Sequence, residues 1–197
     1  MDTGKLTEKI ADVTAEIMNV VMPIPLNLCK IRSFNAYRAE KFGYIPTAID
    51  KLIMWRSKLH THTEFEYSAK YNNISFSATM ADKARCCRFK QIDYTEHPER
   101  WDTIEVYLTD EEEDLVYKEA KRIEFAAYDL IGLLSFLDED ISWIKPSDTG
   151  FWCTEAVATI LYMVAWIKNL INVPADKLHP TKLDTLARYS LSKECKK

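Results

Sequence analysis

The sequence lacks both an apolar run long enough to cross a membrane and an excess of basic residues. Its longest apolar run, Ala156 to Ile167, covers about twelve residues between Glu155 and Lys168, well short of the roughly twenty that a bilayer requires. The chain carries 26 Lys and Arg against 30 Asp and Glu, a formal net charge of -4. Because nucleic-acid affinity depends on clustered Lys and Arg, this balance argues against a general nucleic-acid-binding surface. We expect a buried core helix, no transmembrane segment, and small molecules, peptides or lipids as partners.

The cysteine pattern of a disulfide framework or a zinc site is also missing. The chain has an odd number of cysteines, at Cys29, Cys86, Cys87, Cys153 and Cys195. The adjacent pair cannot easily bridge to each other, and on a strand the two side chains would point to opposite faces. Residues 1–22 include several acidic residues, so the uninterrupted apolar core of a secretory signal peptide is absent as well. We expect reduced thiols and a cytoplasmic location.

Composition and periodicity predict one domain over residues 1–197. The chain is 47% hydrophobic and 28% charged, which is typical of a globular protein with one good core. Apolar residues at helical spacing predict a helix from about Thr3 to Met22, ended by Pro23-Ile24-Pro25. Its amphipathic pattern suits a membrane or a partner protein as well, but docking of residues 1–27 on the core of their own domain is the expectation.

After Leu59 the hydrophobic period changes from helical to strand-like. A helix is predicted from Thr47 to Trp55, and residues 28–46 are mixed, with a turn of helix from Asn35 to Glu40. Residues alternate from His60 to Tyr67, and further strands are predicted at about 74–78, 85–92 and 101–108. The sequence therefore predicts an α+β fold, with an antiparallel sheet of about four strands packed against helices.

The second half of the chain is predicted to be mainly helical. A capping-box pattern, Thr109-Asp110-Glu111-Glu112, predicts a helix from there to about Ala127. The acidic cluster from Asp110 to Asp114 is therefore interpreted as a solvated helix start and not as a metal site. A short apolar element, 128–134, and a loop, 142–150, lead to a helix that begins near Trp152. Residues 172–197 are expected to form a C-terminal extension with a short helix near Leu183 to Leu191.

Cys153 is the candidate nucleophile. It directly precedes the apolar run, and a thiol at a helix N-terminus or beside an imidazolium is activated because its thiolate is stabilised. The alternative interpretation is that Cys153 is a small, buried, apolar residue without a catalytic role. Strand alternation places His60, His62, Glu64 and Glu66 on one face, so either histidine could face the thiol. Only Glu64 is two residues from His62, where it could fix the ring tautomer.

Three segments carry a resemblance to a known family. They are Ile45 to Ser57, then Thr61-His62-Thr63-Glu64, and much later Trp152-Cys153-Thr154-Glu155-Ala156-Val157. Together they resemble the circularly permuted NlpC/P60 (papain-like) group, most of all its YiiX/YebB-type and phage-encoded cysteine hydrolases. The resemblance covers roughly residues 45–165, and the histidine precedes the cysteine, the reverse of the usual papain-like order.

The resemblance implies a permuted papain-like fold with Cys153 as nucleophile and His62 as general base. The third member is Glu64, from the His-x-Glu motif, or else Ser75 or Ser77 on the next strand. Glu155 looks like part of the nucleophile motif and is expected to cap backbone amides. His60 has no assigned role; it is either a surface neighbour or a competitor for the role of base. His97 and His179 each precede a proline and are interpreted as structural or solvent-facing.

The implied activity is that of a cysteine peptidase or amidase that needs no metal or organic cofactor. Its substrate would be a peptide, a peptidoglycan-type peptide, an isopeptide or a lipid amide, and a phage-encoded enzyme would work in the host cytoplasm or the virion. Three alternatives stay open. They are a lipid-type acyltransferase, which differs only in the acyl acceptor, a non-catalytic binding or virion-associated protein that keeps the fold, and a helical interaction protein without an antiparallel sheet.

Overall fold

The computed structural model describes residues 25–80, 86–137 and 149–194, with side chains described except at 134–137 and 191–194. The helix predicted from Thr3 to Met22 lies outside the described residues. Five strands form one sheet in the order β4-β3-β2-β1-β5, and every neighbouring pair is antiparallel. The strands are β1 (Asn27–Asn35), β2 (His60–Glu66), β3 (Ser75–Ala78), β4 (Cys87–Lys90) and β5 (Trp101–Leu108).

Seven α-helices lie within the described residues. They are α1 (Ala36–Glu40), α2 (Ala48–Ser57), α3 (Asp110–Ile123), α4 (Leu130–Leu137), α5 (Cys153–Leu161), α6 (Ala165–Ile171) and α7 (Pro180–Glu194). Short 3₁₀ turns occupy 69–71, 98–100 and 175–177. The predicted α+β class and antiparallel sheet are confirmed, and the sheet argues against a purely helical interaction protein.

Strand β1 is missing from the sequence prediction, which treated this stretch as mixed. The strand is nevertheless patterned, because Cys29, Ile31 and Ser33 are buried while Lys30 and Arg32 are only partly buried. It lies between β2 and β5 and pairs with both over most of its length. The sheet therefore has one strand more than expected, and the extra strand is an interior one, next to the edge strand β5.

Two predicted helix starts are confirmed by their caps. The Asp50 N–H donates to Thr47 Oγ1 at 3.1 Å while the Thr47 N–H donates to Asp50 Oδ2 at 2.9 Å, which fixes the start of α2. Thr109 and Glu112 form the same reciprocal pair at the start of α3. Helix α3 ends before the predicted Ala127, because Phe125 adopts a left-handed conformation with φ 70°.

The longest apolar run does not form the single core helix that was predicted. It is divided between α5 and α6, and Val164 between them has extended backbone angles, φ -94° and ψ 108°. The break lets both helices bury apolar side chains, among them Ile160 and Ile167, in the same core. No helix of the described ranges is both long and apolar enough to cross a membrane.

The two faces of the sheet differ in chemistry. Residues that pair across strands share a face, and one face places Ile31, Phe65 and Ile104 against α3, α5, α6 and α7 in the main core. The opposite face carries a polar row that includes Arg32 and Glu64. A second, smaller apolar cluster joins the first residues of α5 to α2 and α4. The candidate site lies beside this second cluster.

Candidate functional site

Cys153 is the first residue of α5. Trp152, just before it, has extended backbone angles, so the chain enters the helix at the thiol. Cys153 is 1% exposed and packs with Ile53 of α2, Leu133 of α4 and Trp152. Its Sγ lies 3.8 Å from Thr154 Oγ1. Three elements distant in sequence therefore hold the candidate nucleophile at the positive end of a helix.

His62 and Glu64 lie on one face of β2, as strand alternation predicts. His62 Nε2 is 2.9 Å from Glu64 Oε1. The Glu64 side chain is 2% exposed, whereas that of His62 is 24% exposed. Glu64 Oε2 is buried and has no hydrogen-bond partner among the described residues. Glu64 Oε1 also lies 3.6 Å from Arg88 Nη2, so the carboxylate contacts both His62 and Arg88. Its contact with Nε2 leaves Nδ1 as the ring nitrogen for another partner.

Cys153 is the second group that acts on His62, through its effect on the pKa of the ring. Burial alone lowers the pKa of His62, but side-chain hydrogen bonds with Cys153 and Glu64 and their negative charges outweigh burial and raise the pKa to about 10. The ring therefore carries its proton at neutral pH. An imidazolium beside a thiol is the arrangement that stabilises a thiolate.

The two serines considered for the third position make other contacts. Ser75 Oγ lies 2.7 Å from the Tyr94 hydroxyl, and Ser77 Oγ donates to the Thr63 carbonyl at 2.6 Å. Of the three candidates, Glu64 is the one that hydrogen-bonds His62. Sheet position alone could not separate the three, because Ser77 and Ser75 lie on the strand next to His62.

Glu155 contacts backbone and not the thiol. The Trp152 N–H donates to Glu155 Oε2 at 3.4 Å, which is the capping contact expected at the start of α5. Burial raises the pKa of Glu155 to about 7, against the weaker opposing effect of that hydrogen bond. Its contacts are those of a helix cap.

The prediction that His60 shares a face with His62 is wrong. His62 pairs with Phe34 and His60 with Asn35, so Thr61 is an extra residue on β2 and forms a bulge. The bulge turns His60 to the other face, where it is 1% exposed and its Nε2 lies 2.8 Å from Asp102 Oδ2. His60 is therefore neither a surface neighbour nor placed to compete with His62.

The remaining histidines have local roles. His97 is about half exposed, with Nδ1 3.4 Å from Glu99 Oε1. His179 Nδ1 accepts the Lys182 N–H at 3.2 Å at the start of α7, and burial lowers the pKa of His179 to about 4. Both placements agree with the structural or solvent-facing interpretation.

Three buried cysteines besides Cys153 are free thiols, namely Cys29, Cys86 and Cys87. Burial and the neighbouring Glu113 raise the pKa of Cys29, and burial next to Cys86 raises that of Cys87 to about 12. Within the described ranges, no group of three or more His, Cys, Asp or Glu is arranged to hold a metal ion. Cys153 differs from these thiols in that it raises the pKa of a histidine, His62.

A cavity of about 610 Å³ opens over the polar face of the sheet, with His62 and Glu64 in its lining. Its size is within the range of small-molecule sites. Sequence reasoning missed most of its lining, including Tyr44, Arg88 and Tyr128. Tyr128 also packs on the cluster that contains Cys153, and burial and Cys153 raise its pKa well above the ordinary value. No local motif marks these residues, since each comes from a different part of the chain.

His62 and Glu64 thus line the cavity, and Cys153, ninety or so residues farther along the chain, is buried outside the lining but acts on the pKa of His62. Comparisons with protein-family models, with curated proteins and with solved structures find no match for the chain.

Proposed function

We propose that the protein is a cysteine hydrolase that cleaves an amide or ester through an acyl enzyme on Cys153. The observation that carries the proposal is the 2.9 Å contact between His62 Nε2 and Glu64 Oε1, on a ring whose pKa is also raised by Cys153. In such an arrangement a base activates the nucleophile and a third group orients the base. The permuted papain-like fold belongs to the same proposal. Its support is that the helix beginning at Cys153 packs across β2 and β3, on the face of β2 opposite His62.

The reaction begins with the Cys153 thiolate and the His62 imidazolium. The thiolate attacks the carbonyl carbon, and the oxygen takes the negative charge. We assign the Cys153 backbone N–H as the donor to that oxygen, because the first N–H groups of a helix have no partner within the helix. The intermediate then expels the amine or alcohol, which takes the proton from His62, and a thioester remains on Cys153.

Deacylation uses the same groups in the reverse order. Neutral His62 takes a proton from water as the water oxygen attacks the thioester carbonyl. Collapse of the second intermediate releases the carboxylic acid, and the thiolate and the imidazolium are restored. Glu64 keeps the ring in one orientation throughout and favours the protonated form. An acyltransferase would differ only in using another nucleophile in place of water.

One observation favours a second candidate, a binding protein that keeps the fold without catalysis. Cys153 is 1% exposed and does not itself line the cavity. Tyr128 lines the cavity and also packs on the cluster that contains Cys153. Ile49 and Ile53 do the same, so catalysis requires at least one of these three side chains to move aside when substrate enters. In a binding protein Tyr128 would stay in place, and Cys153 would remain inaccessible.

An acyl-enzyme experiment tests the proposal. The full chain is mixed with p-nitrophenyl acetate, the release of nitrophenol is followed, and the acetylated residue is identified by peptide mass spectrometry. A burst of about one equivalent with acetyl on Cys153 is expected, since the first turnover acylates one thiol per chain. Cys153→Ala should abolish the burst, and Cys86→Ala, the matched control at another buried thiol, should keep it. Acetylation spread over surface lysines with no burst would reject the hydrolase and leave the binding protein.

A further inference from the structure

One row of side chains crosses the floor of the cavity, starting at the candidate base. Phe34 on β1 pairs with His62 on β2 and with Trp101 on β5, so the three lie side by side on one face of the sheet. All three line the cavity. Two strand spacings separate His62 from Trp101, a width of about 10 Å. Beside the candidate base, the cavity floor is therefore aromatic over two strands.

Edge contacts between rings hold this aromatic floor in place. The Phe34 ring lies 5.0 Å from Tyr44 and 5.1 Å from Trp101 between ring centroids, and Tyr44 also lines the cavity. The Trp101 ring in turn lies 5.0 Å from the Tyr94 ring, at an interplanar angle of 90°. Tyr94 is 7% exposed, and its hydroxyl lies 2.7 Å from Ser75 Oγ. The floor is thus preformed, which reduces the ordering cost of binding an apolar group against it.

An apolar wall joins the cavity to the candidate nucleophile. Ile49 and Ile53 of α2, together with Tyr128, line the cavity and also pack in the small cluster that contains Cys153. Once one of these three side chains has moved aside, an acyl group on the Cys153 sulfur lies among the other two. The acyl group therefore enters apolar surroundings as soon as it is attached to the thiol.

The charged groups of the lining do not favour a ligand of either sign. Carboxylates and cations both line the cavity, namely Asp50, Glu64, Arg88, Lys90, Asp93 and Glu96. Glu64 Oε1 lies 3.6 Å from Arg88 Nη2. Asp50 accepts hydrogen bonds from the Tyr44 hydroxyl at 2.6 Å and the Thr47 N–H at 2.9 Å, so its charge is used at the start of α2. Recognition of a neutral group by the apolar side chains is what this lining supports.

We propose that the cavity binds the acyl group of the substrate, and that this group is neutral and apolar, either aliphatic or aromatic. It lies against Phe34, Trp101 and Ile49, which therefore determine specificity. The assignment of this group as the acyl part rests on the proposed hydrolase activity. Binding of the apolar group itself needs no chemistry, so the two can be tested separately.

Binding can be measured in full-length Cys153→Ala protein, which cannot form an acyl enzyme. Hexanamide, phenylacetamide and acetamide present the same neutral amide with different apolar groups, and each titration is followed by the NMR shift of the Trp101 indole N–H. Hexanamide, phenylacetamide or both should bind at least about tenfold more tightly than acetamide, because more apolar surface leaves water. A preference between these two identifies the group as aliphatic or aromatic. Equal binding of all three amides, or no shift of Trp101 with any of them, would overturn the proposal.

Variants locate the preference in the cavity. Trp101→Ala on β5 and Ile49→Ala on α2 should each reduce the preference for the larger amides several-fold. Tyr107→Ala is the matched control, since Tyr107 lies on β5 on the same sheet face as Trp101 and does not line the cavity. For Trp101→Ala the titration is followed at backbone amides of β1. A preference that is unchanged in both cavity variants would place the apolar group elsewhere and overturn the proposal.

Turnover separates this proposal from the hydrolase itself. In wild type, kcat/KM for p-nitrophenyl hexanoate or phenylacetate should exceed that for the acetate by about tenfold or more, and Ile49→Ala should reduce this ratio. If the larger amides bind as expected while wild type forms no acyl enzyme on Cys153, the hydrolase fails and the apolar binding site stands. If Cys153 is acylated by all three esters at equal rates and the amides bind equally, the hydrolase stands and the proposed acyl specificity fails.

Discussion

His62 Nε2 lies 2.9 Å from Glu64 Oε1, two residues farther along the same strand. The contact is built into the strand itself, because alternate residues of a strand face the same way. It leaves the other ring nitrogen for Cys153, which comes from the start of α5. Two alternate positions of β2 and one helix start carry these roles, so each role can be tested alone.

Glu64→Gln should weaken both the charge on His62 and its orientation. We expect the pKa of His62 to fall below its value of about 10, because a charged acceptor is replaced by a neutral one. The rate of Cys153 acylation at neutral pH should fall by about tenfold to a hundredfold, as for the loss of a hydrogen bond to a charged group. NMR titration of the ring and the acylation rate together check this, and Ser77→Ala is the matched control. An unchanged His62 pKa would show that Glu64 does not orient the base.

His60→Gln should affect stability and not chemistry. The His60 ring is buried against Asp102 on the face away from the cavity, so its loss leaves a partly buried carboxylate with one partner fewer. We expect a decrease of about 1–3 kcal/mol in the free energy of unfolding, measured by denaturant titration. The acylation rate of the folded variant should equal that of wild type. A rate loss comparable to that of His62→Ala would contradict the placement of His60 behind the bulge.

Glu155→Gln should change how stability depends on pH. Burial raises the Glu155 pKa to about 7 from an ordinary value near 4.5, so the folded state holds a proton that the unfolded state has released. The stabilisation from this group is fully present below about pH 4.5 and is lost as pH rises through about 7. The variant should therefore gain stability relative to wild type across this window, by up to about 3 kcal/mol. Parallel stability curves for the two proteins would show that Glu155 is ionised in the fold.

Local patterns predicted the parts of the site that depend on one element at a time. Alternation along β2 paired His62 with Glu64, and a polar motif before an apolar run placed Cys153 at a helix start. The position of His60 could not be predicted, because the bulge at Thr61 arises from pairing with β1, a strand that was itself missed. Tyr128 and Arg88 reach the cavity only through tertiary packing, so no spacing in the sequence reveals them.

The central claim is that the Cys153 thiol and the His62 imidazolium act as a pair. It is tested most directly by the rate of Cys153 alkylation with iodoacetamide, followed by mass spectrometry from about pH 5 to 9 in wild type and His62→Ala. In wild type, Cys153 should react well below pH 7 and faster than Cys29, Cys86 or Cys87. In the variant this advantage should be lost, and the pH dependence of the alkylation rate should follow that of a free thiol, which titrates near 8.5. Identical profiles in the two proteins, or an inert Cys153 in both, would contradict the account.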